Sequence, residues 1–256
     1  MSMRQRKGEE RRVDIPPQLH NLPHIWVCAL TFAALFALPF GASAADDPLQ
    51  AVFARIDKAS VTFRWMTAKV QKTEYVAVID ETSTENGKIL VLKPKPHDLR
   101  IRFDFEPPDE KQVAIDSARA LTYYPKTNTT QEYLIGKQAK PMVEQLLLLG
   151  FGSTSQDILS GYTVRYIGAE TAAGEKTSRI ELTPKDKEMQ QHFRRIELWI
   201  DDATGLAVQQ KFYEPGKNYN LAVFTNVDLN TRVTEPDVRL KIPKDAKKDV
   251  PIGKKH

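Results

Sequence analysis

Cysteine is almost absent from this 256-residue chain: Cys28 is the single example. One thiol closes no intramolecular disulfide, so no disulfide framework holds the fold. Histidine is nearly as scarce. Of five histidines, His20 and His24 lie in the N-terminal segment and His256 is the last residue. His97 stands in a proline corner and His192 in a loop, and neither has metal-ligand spacing to another ligand. Gly150-Phe151-Gly152-Ser153 lacks the G-x-S-x-G order of a nucleophile elbow and follows a helix pattern rather than a strand. Phosphate-binding and dinucleotide fingerprints are missing too. Asp109-Glu110 and Asp201-Asp202 are acidic pairs at turns, where turn chemistry accounts for them. Without a nucleophile–base pair a hydrolase has no support. The chain reads as a non-enzyme with no metal and no cofactor.

Long apolar runs are also rare, and the one present is at the N-terminus. Arg4, Arg6, Lys7, Arg11 and Arg12 precede an apolar stretch from Ile25 to Phe40, followed by Ala42-Ser43-Ala44. These are the three parts of a secretory signal. The stretch is broken by Pro39 and falls short of the roughly 20 residues of a membrane-spanning helix. Residues 1–44 are therefore expected to be a signal peptide cleaved near Ala44, and the protein to be periplasmic. An uncleaved anchor is the alternative. Cys28 lies inside the apolar stretch and not at the cleavage site, so it is not a lipidation cysteine. Residues 1–44 hold five Arg and Lys and three Asp and Glu; taking them from totals of 37 and 33 leaves 32 and 30. The net charge of +4 is thus partly the signal's and partly that of a Lys-rich tail. With no basic-aromatic patch, nucleic acid is not an expected partner.

What the chain does have is alternation. Residues 45–243 read as one domain, and the tail 244–256 as a disordered basic segment. Leu49, Val52, Phe53 and Ile56 recur at helical spacing behind Asp47-Pro48, which predicts a helix over 46–60. From Val61 the period drops to two, with Val61, Phe63 and Trp65 on one face. Ile89–Leu92 is a strand running into Lys93-Pro94-Lys95-Pro96. The next strand alternates strictly: Leu99, Ile101, Phe103 and Phe105 face one way, Arg100, Arg102 and Asp104 the other. Short strands separated by turns follow to Ile135. Pro141–Phe151, with four consecutive leucines, reads as a helix apolar nearly all round, which must be buried or lie over something apolar. A second short helix covers Ser155–Leu159. Strands then resume about every ten residues to Leu229. The greasy face of this meander is either a dry core or a cavity able to hold acyl chains under a lid of helices.

The order of elements resembles the periplasmic outer-membrane lipoprotein carrier LolA and its superfamily. The residues carrying the resemblance are the opening helix Leu49–Ala59, Val91-Leu92-Lys93-Pro94 leading to Leu99–Phe103, and Ile115-Asp116-Ser117 with Leu121–Tyr124. The apolar helix at 141–151, Leu182-Thr183-Pro184-Lys185, Ile196–Asp201, Phe224–Val227 and Ile242-Pro243 complete it. The resemblance implies an α+β protein: a half-open antiparallel barrel of about eleven strands with short helices as a lid. It implies a monomeric carrier that takes lipoprotein acyl chains from an inner-membrane ABC exporter to an outer-membrane lipoprotein acceptor. The cavity is then expected to be lined by Phe63, Trp65, Leu99, Ile101, Phe103 and Phe105, with Met142, Leu146, Leu147 and Leu149 in the lid. In the family an arginine before the corner proline latches the lid; here that position is Lys93, which lacks the planar fork of arginine. The family's aromatic pair in the next strand is Leu99 and Ile101 here. The alternative function on the same fold is a sensor or interaction module, or a carrier of another lipid.

Overall fold

The computed structural model describes residues 47–249. Residues 1–44, expected to be a signal peptide, lie outside them. Asp47 accepts a hydrogen bond from the Leu49 amide at 3.0 Å and caps α1 (Pro48–Thr62). Val52, Phe53, Ile56 and Ala59 form its buried stripe. The helix runs two residues past the expected end. Val61 is therefore helical and 69% exposed, and the Phe63 amide closes the helix on the Ala59 carbonyl at 2.8 Å.

The strands are β1 (Trp65–Val76), β2 (Glu81–Lys95), β3 (Asp98–Phe105), β4 (Lys111–Ile115), β5 (Arg119–Tyr124) and β6 (Thr129–Leu134). Two helices follow, α2 (Lys140–Leu148) and α3 (Ser155–Gly161). Then come β7 (Tyr162–Ala172), β8 (Glu175–Pro184), α4 (Lys187–His192), β9 (Arg195–Asp201), β10 (Ala207–Tyr213), β11 (Tyr219–Asp228) and β12 (Lys247–Asp249). All twelve strands make one open sheet in the order β12-β6-β5-β4-β3-β2-β1-β11-β10-β9-β8-β7. Among the described residues only the β12–β6 pair is parallel. The barrel of about eleven strands is thus a twelve-stranded sheet with two free edges. Its twelfth strand comes from the tail expected to be disordered: Lys247–Asp249 pair with Thr129–Gln131.

Two meanders build this sheet. β1–β6 run outward in sequence on one side, β11 back to β7 on the other, and β1 pairs with β11 to join them. The chain leaves this side at β6, flanked only by β12 beyond it, and re-enters at the opposite edge at β7. α2 and α3 carry that crossing over the inner face. β2 is longer than expected at both ends: Glu81–Lys88 pair with β1 back to Val76, and the strand passes Pro94 because the register to β3 slips between Leu92 and Lys95, where no ladder N–H is required. After β11 the chain straps the outer face: Val233 and Val238 pack on Leu92, Leu90 and Trp65.

Candidate functional site

The inner face is filled differently on its two sides. On the β7–β10 side, Leu149, Ile158, Ile180, Leu182, Ile196, Leu198 and Ile200 are 0–1% exposed beneath Val52, Phe53 and Ile56 of α1. Asp57 of α1 holds the start of α3, accepting from the Ser155 amide at 2.6 Å and the Ser155 hydroxyl at 2.7 Å. Thr154 and Asp157 cap α3 reciprocally. This side is dry core.

Over β1–β5 a cavity of about 530 Å³ remains, reaching across β11 to Gln210 and Phe212 of β10. Val70, Ile89, Ile101 and Phe103 line it from β1 to β3, Val113 and Ile115 from β4, Ala222 and Phe224 from β11, and Leu146, Leu147 and Phe151 from the α2 region. Leu146 and Leu147 are only half-buried. Phe103 stacks on Phe105 with centroids 5.6 Å apart, and Phe151 meets Phe224 edge-on at 5.1 Å. Polar groups gather at one end. Lys111 donates to Glu85 at 2.5 Å and its ammonium lies 5.2 Å from the Phe105 ring centre. Lys72 is 3.8 Å from the same Glu85 carboxylate, and Asn220 donates to Glu214 at 2.7 Å. The cavity is therefore apolar at its Ile101 end and charged at its mouth. Its lining contains no histidine, cysteine or serine, and among the described residues no cluster of three metal-ligating side chains occurs. Such a lining can shelter hydrocarbon, since apolar burial is non-directional and needs no matching donors.

Of the residues expected at the site, Ile101, Phe103, Phe105, Leu146 and Leu147 border this cavity. Phe63 and Leu99 are buried in the adjoining core at 6% and 3% exposure and do not line it. Leu149 belongs to the dry core on the other side. Met142 faces a separate cleft of about 470 Å³, shared with His97 and Met189. Trp65 departs most: it lies on the outer face against Val233 and Val238, its indole N–H donating to the Leu229 carbonyl at 3.0 Å. The cause is the two-residue extension of α1. The strand starts at Trp65 rather than Val61, and Met66, 0% exposed, takes the inner position. Val70, Val113, Ile115 and Phe224 are lining residues the pattern did not single out. For Val113 and Ile115 the short alternating stretch before Asp116 was the available signal.

The loop after α2 is pinned at three carbonyls. Gln210 donates to Leu149 O at 2.7 Å and the Ala207 amide to Gly150 O at 3.0 Å. Lys93 Nζ donates to Gly152 O at 3.1 Å and also to Ser60 O of α1 at 2.8 Å. Lys93 is 6% exposed. Burial, and then the nearby Arg64 cation, push its ammonium below the ordinary lysine value, while Asp157 pulls the other way. Gly152 has φ +120°, and a Cβ there would stand 3.0 Å from Lys93 Cδ and Nζ. Glycine lets the lysine come this close.

An open antiparallel sheet with short helices on its inner face and a cavity beneath one of them defines the LolA-like fold. The family described as "Outer membrane lipoprotein carrier protein LolA" matches residues 66–237, and the chain belongs to that family. Its members are binding or carrier proteins. Among solved structures, an uncharacterized conserved protein from Thermus thermophilus is 16% identical, covering 80% of this chain and 99% of its own, with TM-score 0.48. MucB is 16% identical over 75% of this chain with TM-score 0.47, and the match spans 62% of MucB's length. The lipoprotein LppX of Mycobacterium tuberculosis is 12% identical, covering 73% of this chain and all (100%) of its own, with TM-score 0.43. No curated protein matches the chain.

Proposed function

We propose that the protein is a periplasmic carrier that holds lipoprotein acyl chains in the cavity under α2. It receives them from an inner-membrane ABC exporter, delivers them to an outer-membrane lipoprotein acceptor, and works as a monomer. The observation carrying this reading is the cavity itself: about 530 Å³, aromatic and aliphatic along its length, with charge only at the mouth. That volume falls in the roughly 300–1,000 Å³ range of ligand sites. Each acyl CH₂ moved into it from water is worth roughly 0.8 kcal/mol, so much of one chain supplies a soluble complex without covalent attachment. Lys93 acts as the latch, tying the loop after α2 to the end of α1 until cargo displaces the lid.

The test is release of a radiolabelled lipoprotein from spheroplasts of a diderm bacterium into the medium by the purified protein. A soluble one-to-one complex is expected. Absence of release, with the cells' own carrier working in parallel, sinks the lipoprotein assignment; native mass spectrometry of the same sample then shows whether another lipid occupies the cavity. Leu147→Asp places a carboxylate on the half-buried roof. It should weaken binding of a fluorescent acyl probe about tenfold or more, with a much smaller change in urea midpoint. Equal loss of both would make Leu147 plain core.

A further inference from the structure

The β1–β2 hairpin ends in an apolar tip standing clear of the fold. Residues 77–80 form the turn, and Val78 and Ile79 are 89% and 62% exposed. Hairpin tips favour glycine, asparagine and aspartate; an adjacent pair of exposed aliphatics marks a surface that meets something apolar. The tip is held in shape. The Tyr75 hydroxyl donates to Asp80 at 2.9 Å, and the Ala77 amide donates to the Asn218 side chain of the β10–β11 turn at 2.9 Å. Two turns therefore stand side by side, one presenting Val78 and Ile79, the other the exposed Lys217.

Behind them lies a band of phenols and ammonium groups. Tyr75 stacks on Tyr219 at 5.2 Å, and Lys211 Nζ sits 3.8 Å from the Tyr219 ring centre. Aliphatic side chains at the tip with tyrosine and lysine one step back match the polarity gradient of a membrane–water interface. There hydrocarbon takes the aliphatics, and headgroups take amphipathic rings and lysine heads. Glu74, Asp80 and Glu81 offset the lysines, so charge attraction is not the driver and a zwitterionic surface suffices. The same hairpin reaches the cavity mouth: Lys72 lines the cavity and pairs with Glu85 across β1 and β2. Six residues separate Lys72 from Val78, a strand length of roughly 20 Å.

We propose that the β1–β2 tip docks the protein on a phospholipid bilayer, with Val78 and Ile79 below the headgroups and the cavity mouth turned to the membrane. The purpose of the docking rests on the carrier reading, but the two fail separately. The experiment uses the chain from residue 45 to 256, which carries no cysteine and lacks the apolar N-terminal stretch, with Val78→Cys labelled with nitrobenzoxadiazole and mixed with phosphatidylcholine vesicles. Brominated acyl chains should quench the label at position 78 and leave a label at Arg165→Cys, exposed on β7, unquenched. No quenching at 78, or equal quenching at both, overturns the proposal; a tip that seats only in a protein groove gives the first result. The double variant V78D/I79D should lose vesicle association about tenfold or more while taking up an acyl probe from detergent solution as the parent does. Docking unchanged in that variant also overturns the proposal. Uptake of the probe reads the cavity alone, so its failure would count against the carrier reading and not against the tip.

Discussion

The two meanders of the sheet are written in the same alphabet and end in opposite states. β8 and β9 turn Ile180, Leu182, Ile196, Leu198 and Ile200 inward, and each is 0% exposed. β3 and β4 turn Ile101, Phe103, Val113 and Ile115 inward, and these border open space. The strands do not make this difference; what crosses them does. α1 lies along the first set with its stripe of Val52, Phe53 and Ile56, and Asp57 bolts α3 beside it. The second set is roofed by α2, whose nine residues bring two half-buried leucines over the gap, and by Phe151 of the loop after it. A helix fixed by charge-assisted hydrogen bonds makes a core, and a helix pinned mainly at its trailing loop makes a lid.

Truncation in the two halves is the strongest way to break this comparison. Leu198→Ala leaves a sealed void under α1 and should cost about 2–5 kcal/mol, the range for buried leucines in rigid cores. Phe103→Ala removes a larger side chain, yet enlarges a space already open, so its cost should fall below that of Leu198→Ala despite the usual order of the two residue types. Urea midpoints of both variants decide it. A Phe103→Ala loss as large as that of Leu198→Ala would mean the open half is packed in solution.

How much of this was legible in the sequence differs by element. β3 was, because Leu99 to Phe105 alternate without a break and only one register buries all four. α2 was, because Leu146–Leu149 exceed what a strand between turns would carry. Trp65 was misplaced because Val61, Phe63 and Trp65 alternate by coincidence across a helix end. The Phe63 amide bonding back to Ala59 is a tertiary choice, favoured by burying Ile56 and Ala59, that spacing does not encode. The strap through Val233 and Val238 was invisible, as two valines five residues apart in a polar stretch carry no period. The split between filled and open halves was unreadable in principle. Both have the same inward alternation, and the volume above each depends on helices placed by long-range bonds such as Asp57 to Ser155.

A smaller effect sharpens the idea that the loop after α2 is the movable part. Gly152→Ala puts a side chain at φ +120°, 3.0 Å from Lys93. Backbone strain of this kind costs on the order of 1–3 kcal/mol. It should appear locally, as faster hydrogen exchange at Phe151 and Ser153, whose amides bond the Leu148 carbonyl at 2.9 and 3.3 Å. Protection of β9 amides should hold. Uniform loss of protection across both halves would show that loop and core open together, and the lid would then be no separate unit.

The smallest expected effect is the pH response of Lys93, the proposed latch. Burial and Arg64 lower the Lys93 pKa in the folded protein, while in the unfolded chain it returns to about 10.4. Between the two values the unfolded state holds a proton that the folded state has lost, so stability from this group rises with pH across that window. Arginine at the same place stays charged throughout. The stability of the natural chain relative to Lys93→Arg should therefore climb as pH rises towards about 10.4, read from urea midpoints of both at each pH. The climb is modest because the Asp157 carboxylate favours the ammonium. A relative stability that falls over the same range would mean the ammonium is held by its two carbonyls more strongly than burial disfavours it, and Lys93 would then be a charged clamp.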